Sequence, residues 1–287
     1  SELVMTEGAR YADIVLPVTS YYEEDADLIA SWNNMYVQLR TPVIDKVGES
    51  KVDWEIFKGV AERMGAGDDW KMTPMESCEH LIKNSADPIF SNIDWEELKR
   101  EGIVKAAINT PHVPFEDMKF ATPSGRIEIY TEQLAKHDQG VPNFEEPTES
   151  NRQPRAKKYP LTFMTNHSLY SANATHMILP WIQEVQPEPR LDMHPVDAEK
   201  RGINDGDAIR VFNERGAFQA NVTVTEAIKP GALNMIQGWW PEHFVEGHYS
   251  DVNSMPIDPA QETILETNYS VFDVSVEVEK VEQVSAA

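Results

Sequence analysis

The sequence predicts an α/β segment with helical stretches, followed by a small β-barrel. Three observations carry this. A short apolar, β-branched run, Ile14-Val15-Leu16, reads as a buried parallel strand closed by Pro17. Two punctuated amphipathic helices follow it. After a polar stretch at 141–158, short alternating strands recur with turn residues between them.

The first helix spans the low fifties to sixties, with Asp53 as cap and Trp54, Phe57, Val60, Ala61 and Met64 on one face. Gly65 stands at its C-terminal stop. The second opens at Thr73-Pro74-Met75-Glu76, a capping box with proline at the first helical position, and continues through apolar Cys78, Leu81 and Ile82. A third is expected at 95–100. Thr122-Pro123-Ser124-Gly125 is a turn, and 126–130 alternates like a half-buried strand. The region 141–158, rich in Pro, Glu, Asn and Arg, reads as a linker or crossover.

Beyond it, strands are expected at 159–165, 191–193, 208–212, 217–225, 232–236 and 271–278. Pro195 and Gly202 bound a short helix. Its first turn holds Asp197, where a carboxylate suits the helix dipole and a capping role is the simple expectation. Asn204 to Asp207, Asn213 to Gly216 and Lys229-Pro230-Gly231 are turns.

A length of 287 residues accommodates two domains, and 41% hydrophobic residues suffice for an ordinary core. No apolar run reaches the ~18 residues of a membrane-spanning helix. The net charge of -23 opposes a nucleic-acid partner but leaves an anionic small ligand feasible, held by backbone N–H groups and a few side chains. The single cysteine, Cys78, rules out an internal disulfide, a cysteine-ligated cluster and a multi-cysteine zinc site within these residues. As a nucleophile Cys78 competes with a simpler role as an apolar helix position.

The richest polar cluster is Thr165-Asn166-His167-Ser168, with His176 further on. A strand end followed by small polar residues leaves backbone N–H groups for a ligand. The plainer alternative is a loop that satisfies its own backbone. Zinc at His167 and His176 fits no standard spacing. Glu23-Glu24 beside Asp25 and Asp27 is either a metal or acid–base site or a solvated acidic loop. Gly238-Trp239-Trp240-Pro241 is either a stacking platform or core packing. No phosphate-loop or G-x-G-x-x-G pattern is present.

Several segments, in order, resemble the dimethyl sulfoxide reductase family of molybdenum and tungsten enzymes. Tyr11-Ala12-Asp13-Ile14-Val15-Leu16-Pro17 resembles that family's "ADxVLP" segment, with Glu24 where a glutamate often follows. Asp53-Trp54 resembles its helix start, and the run from Thr122 to Tyr130, TPSGRIEIY, its "TPSGKIEIY". His194-Pro195-Val196-Asp197-Ala198, Arg201 to Asp207, Val211-Phe212-Asn213-Glu214-Arg215-Gly216 and Lys229-Pro230-Gly231 resemble its C-terminal domain.

This resemblance implies residues 1–150 as the C-terminal part of the α/β core and 156–287 as a double-psi β-barrel binding a molybdopterin guanine dinucleotide. It implies a two-electron oxidoreductase (oxygen-atom transfer or reductive dehydroxylation) built on molybdenum and two such dinucleotides, although the family includes non-redox members. The metal-ligating residue and the cysteines of a 4Fe-4S cluster are then expected outside these residues, and this piece alone is expected to be inactive. The missing N-terminal half of the same protein is the implied partner. Further implied partners are a membrane anchor and an iron–sulfur electron-transfer subunit. The implied cofactor contacts are Thr165, Asn166, His167, Ser168, His176, Gly238, Trp239 and Asn253, with no catalytic residue and no metal ligand. Met177 replaces the family's usual hydroxyl residue, and Ser254-Met255 matches the family only in part. The competing expectation is a stand-alone barrel binding a nucleotide or a protein without redox chemistry.

Overall fold

The computed structural model describes residues 1–24, 26–30, 34–136, 138, 140–141, 143–144, 146–147, 149–253 and 274–281. Asp25, Ser254-Met255 and the first residues of the strand expected at 271–278 lie outside them. The chain forms two compact units, Ser1–Lys119 and Phe120–Ala287.

The first unit contains α1 (Glu7–Tyr11), β1 (Asp27–Ala30), β2 (Tyr36–Arg40), α2 (Asp53–Arg63), α3 (Pro74–Asn84), α4 (Trp95–Glu101) and β3 (Ile103–Lys105). Its strands make an antiparallel sheet in the order β1-β2-β3. Val37, Leu39, Cys78, Ile82, Trp95, Leu98 and Ala106 are its core. Cys78 is thus an apolar helix position, while Leu81 on the same helix is exposed.

The capping box is formed. The Glu76 N–H donates to Thr73 Oγ1 at 3.2 Å, and the Thr73 N–H donates to Glu76 Oε2 at 2.8 Å. Gly102, at φ 73°, ends α4 in the left-handed conformation that glycine adopts without a Cβ clash.

Three expectations for this half and the segment after it are corrected. Ile14-Val15-Leu16 forms no strand and is exposed, because only single parallel bridges, Glu2 to Pro17 and Val18 to Lys51, flank it. Apolar composition without a continuous ladder does not make a buried strand. Asp53 does not cap α2. Val52 occupies the cap position without a side-chain bond, and Asp53 Oδ1 accepts from Ser1 Oγ. Residues 126–130 form no strand, and Ile127, Ile129 and Tyr130 are exposed. The three-stranded sheet β1-β2-β3 also adds strands to a half whose sequence reads as mostly helical and loop.

The second unit contains α5 (Glu132–Ala135), β4 (Leu161–Asn166), α6 (Pro180–Val185), β5 (Arg190–Met193), α7 (Pro195–Glu199), β6 (Ala208–Phe212), β7 (Ala217–Val224), β8 (Ala232–Ile236), α8 (Ser250–Asn253) and β9 (Val274–Lys280). Six strands close into a barrel in the order β4-β8-β5-β7-β6-β9. The β4–β8 and β5–β7 pairs are parallel and the others antiparallel.

Period-two alternation puts Leu161 and Phe163, Leu191 and Met193, Ile209 and Val211, Phe218 and Val222, Leu233 and Met235, and Val274 and Val276 inside. Each such burial contributes about 1.5–3 kcal/mol. Phe163 and Phe218 pack with centroids 5.6 Å apart. Met177 is fully buried in this core, so an apolar residue stands where the resembled family carries a hydroxyl.

Asp197 is buried and has a different role from capping. His194 Nδ1 accepts from the Val196 N–H and caps α7, while Asp197 Oδ2 accepts from the Gly231 N–H and fixes the turn into β8.

Candidate functional site: two loops at one end of the barrel

Parallel pairing places the C-terminal ends of β4 and β8 side by side, with Asn166 opposite Ile236. The chains leaving them therefore emerge at the same end of the barrel. The Gln237 N–H donates to the Asn166 carbonyl at 2.9 Å and extends the ladder one residue further.

The Asn166 side chain is oriented by a short relay. Asp192 offers only acceptors, so Asn234 turns its Nδ2 toward Asp192 Oδ2 at 3.2 Å. The same Nδ2 donates to Asn166 Oδ1 at 3.3 Å. With its oxygen engaged, Asn166 keeps its NH2 group as a donor at the exposed strand end. Thr165, one residue earlier, is buried.

His167 is exposed directly after the strand. Ser168 Oγ donates to Gln186 Oε1 at 3.1 Å and accepts from the Tyr170 N–H at 2.9 Å, so this hydroxyl serves the loop itself.

The loop after β4 then folds against the segment after β8. Gly238 has φ 103°, and a Cβ there would lie 1.9 Å from the Asn173 carbonyl oxygen. Only glycine permits that approach. Trp240 Nε1 donates to the Ala174 carbonyl at 3.0 Å, and the Gly238 N–H donates to Tyr249 Oη at 3.1 Å. Trp239 is buried, edge-on to His243 at 5.3 Å.

His176 is exposed on the same loop, with φ 71° immediately before buried Met177. A left-handed non-glycine residue costs about 1–2 kcal/mol, offset here by the seating of its neighbour in the core. Thr165 and Asn166 at the end of β4 thus lie beside one pair of adjoining loops that carry His167, Ser168, His176, Gly238 and Trp239. Asn253 stands apart in α8, beside the β6–β7 hairpin, where Asn213 Nδ2 donates to the Val252 carbonyl.

Ser171, which the sequence alone did not single out, also belongs here. Ser171 Oγ and Trp239 Nε1 are buried without a hydrogen-bond partner among the described residues, as is Asn253 Oδ1. Each such group costs about 1–3 kcal/mol unless a partner arrives. Indole N–H is a donor only, and a hydroxyl both gives and takes. Ser171 Oγ and Trp239 Nε1 fit a ligand that presents oxygen and nitrogen acceptors, whereas Asn253 Oδ1 fits one that presents an N–H donor. Ser171 left no signal in the sequence because its burial depends on the packing of two loops. Asn173 left a weak one, since asparagine tolerates the positive φ of 52° that it adopts.

The acidic cluster in the first unit is a solvated loop only in part: Asp27 is exposed, whereas Glu23 is buried and Glu24 half-buried, and Asp25 lies outside the described residues. Glu23 is buried and accepts from Ser20 Oγ, the Val47 N–H and the Ser20 N–H, which hold its carboxyl down at about 2. Glu24 and Asp27 pair with Arg40. Among the described residues, no group of three or more His, Cys, Asp or Glu side chains is arranged to hold a metal ion.

Comparison with known proteins agrees with this organisation. Residues 161–269 match the family model described as "Molydopterin dinucleotide binding domain", and residues 1–63 match that of "Molybdopterin oxidoreductase". The chain is 33% identical over 288 residues to a putative catalytic subunit of the dimethyl sulfoxide reductase of Halobacterium salinarum, covering 97% of this chain and 33% of that protein. It is 32% identical to a dimethyl sulfoxide/trimethylamine N-oxide reductase of Cereibacter sphaeroides, covering 95% of this chain and 34% of that protein.

Acetylene hydratase from Pelobacter acetylenicus shares the fold, with a TM-score of 0.74 and 20% identity over 96% of this chain and 39% of that one. The chain therefore spans about a third of the length of the curated relatives it matches. Its barrel matches a molybdopterin dinucleotide binding domain, and the chain belongs to the dimethyl sulfoxide reductase family of molybdopterin oxidoreductases.

Proposed function

We propose that this chain is the C-terminal portion of the catalytic subunit of a molybdenum bis(molybdopterin guanine dinucleotide) oxidoreductase. In this reading it holds part of one dinucleotide and closes one side of the active-site funnel. The observation that carries the proposal is the pair of loops after β4 and β8, locked together at Gly238 and Asn173, with Ser171 Oγ and Trp239 Nε1 left as buried groups awaiting partners.

Asn166, through an NH2 group without a partner among the described residues, and His167 supply further hydrogen bonds at the exposed end of β4. Thr165, Ser168 and His176 shape the loop, Gly238 lets the backbone close, and Asn253 contributes an acceptor from α8. Given the net charge of -23, neutral donors and backbone amides carry the anionic pyrophosphate. When bound, the molybdenum cofactor supplies two-electron redox chemistry of the oxygen-atom-transfer or reductive dehydroxylation type. The residues of this chain bind and orient the dinucleotide and exclude water from it.

In the same reading the barrel is of the double-psi type, a reading supported by two parallel strand pairs in an otherwise antiparallel closed sheet. The functional division is 1–150 as part of the α/β core and 156–287 as the dinucleotide-binding barrel. The metal ligand and a 4Fe-4S cluster lie on the N-terminal half of the enzyme, and the 287 residues alone are inactive. The further partners are a membrane anchor and an iron–sulfur subunit. A stand-alone barrel is disfavoured by the molybdopterin oxidoreductase match at residues 1–63, outside the barrel.

Metal and pterin analysis of the complete enzyme, purified without oxygen, tests the proposal. Two guanine dinucleotides per molybdenum are expected, and an enzyme without pterin refutes it.

A further inference from the structure

The Val252 carbonyl receives an unusual share of donors. Asn213 Nδ2 donates to it at 3.0 Å, Arg215 Nε at 3.0 Å and Arg215 Nη2 at 2.7 Å. Arg215 is held in turn by Glu149, whose two carboxylate oxygens face its guanidinium. Glu149 is itself buried and pinned to β9, accepting from the Ser275 N–H at 2.7 Å, while Ser275 Oγ donates to the Glu149 carbonyl at 2.8 Å.

Asn213 Nδ2 also reaches the Ser275 carbonyl at 3.3 Å. Gly216 completes the contact, since a Cβ there would lie 2.8 Å from Asp251 Cβ and 3.1 Å from the Asp251 carbonyl oxygen. Asn213, Arg215 and Gly216 of the hairpin together hold the backbone of residues 251 and 252.

Stability alone is a weak reason for this arrangement. A buried ion pair is often matched in stability by apolar residues of the same volume, because both charges must be stripped of water. What the arrangement does achieve is geometric. It fixes the residue before Asn253, and Asn253 Oδ1 is buried without a partner among the described residues.

We propose that Asn213, Arg215 and Glu149 are positioning residues that clamp α8 so that Asn253 Oδ1 meets an N–H donor on the amino-substituted heterocycle of the bound dinucleotide. A carbonyl oxygen accepts from such an edge, and the pterin and the guanine both present one. The proposal rests on the cofactor-binding reading above and adds the device that sets one of its contacts.

The test uses the complete enzyme with Asn253→Ala, Arg215→Lys, Glu149→Gln, and each of the last two combined with Asn253→Ala. The readouts are the rate of pterin release on dilution, followed by fluorescence of the oxidised pterin, and the thermal midpoint. Release is measured well below that midpoint.

Asn253→Ala is expected to speed release roughly tenfold, the loss of one buried hydrogen bond. Arg215→Lys keeps a positive charge beside Glu149 but loses the forked grip on Val252, and is expected to speed release several-fold. Combined with Asn253→Ala, it should add nothing beyond the larger single effect. Should Arg215→Lys fail to fold, Glu149→Gln carries the same expectation of non-additivity. Effects that multiply in the double variant overturn the clamp. So does faster release in Asn253→Ala with none in Arg215→Lys or Glu149→Gln. Unchanged release in Asn253→Ala removes the Asn253 contact itself, and the clamp with it, while leaving the contacts of the β4 and β8 loops standing.

Discussion

Gly238 and Asn173 approach so closely that a single added carbon on Gly238 would sit 1.9 Å from the Asn173 carbonyl oxygen. This contact fixes the loop after β4 against the segment after β8. Gly238→Ala therefore meets a steric clash with backbone and an unfavourable φ of 103° together. A loss of roughly 3 kcal/mol or more is expected. The check is calorimetry of the complete enzyme together with its pterin content. Both should fall, and an unchanged midpoint would show that the loop yields freely.

Glu23 predicts a particular acid sensitivity. Its carboxyl is held at about 2 by donors from Ser20, Val47 and Ser50, against about 4.3 for an unfolded glutamate. A depressed folded value means that the stabilisation is fully present above the unfolded value and is lost as pH falls from about 4.3 toward 2. Glu23→Gln should lower stability at pH 6 and flatten the fall between pH 5 and 2.5. Parallel pH curves for the two proteins would contradict this.

The charge of -23 predicts a response to salt. Like charges repel across the surface, and raising ionic strength from about 0.01 to 1 M shortens the screening length from about 30 to 3 Å. Exposed ion pairs such as Lys99–Glu96 contribute little either way. The thermal midpoint should therefore rise with sodium chloride over this range. A fall would mean that attractive pairs outweigh the net repulsion.

The barrel was the most legible part of the sequence, because alternation and turn chemistry agree there. Leu161, Phe163 and Thr165 point in as period two requires, and Gly231 turns the chain into β8. The Thr73–Glu76 capping box was equally plain because it is a purely local pattern. Local reading failed where long-range pairing decides. Ile14 to Leu16 has strand composition but only isolated bridges beside it, while β3 is three residues long and takes its identity from β2.

The candidate site divides along the same line. Asn166 ends a strand and Gly238 follows one, and both stood out, whereas the role of Arg215 depends on Val252, 37 positions away, and on Glu149, 66 positions away, and the burial of Ser171 depends on two loops meeting.

The most direct test of the central claim is the pterin guanine dinucleotide content of the complete enzyme carrying Asn166→Ala and His167→Ala together, compared with the unsubstituted enzyme at matched folded fraction. If the β4 loop grips the cofactor, content per protein falls well below that of the unsubstituted enzyme while the barrel stays folded. Full cofactor content in the double variant would contradict the assignment.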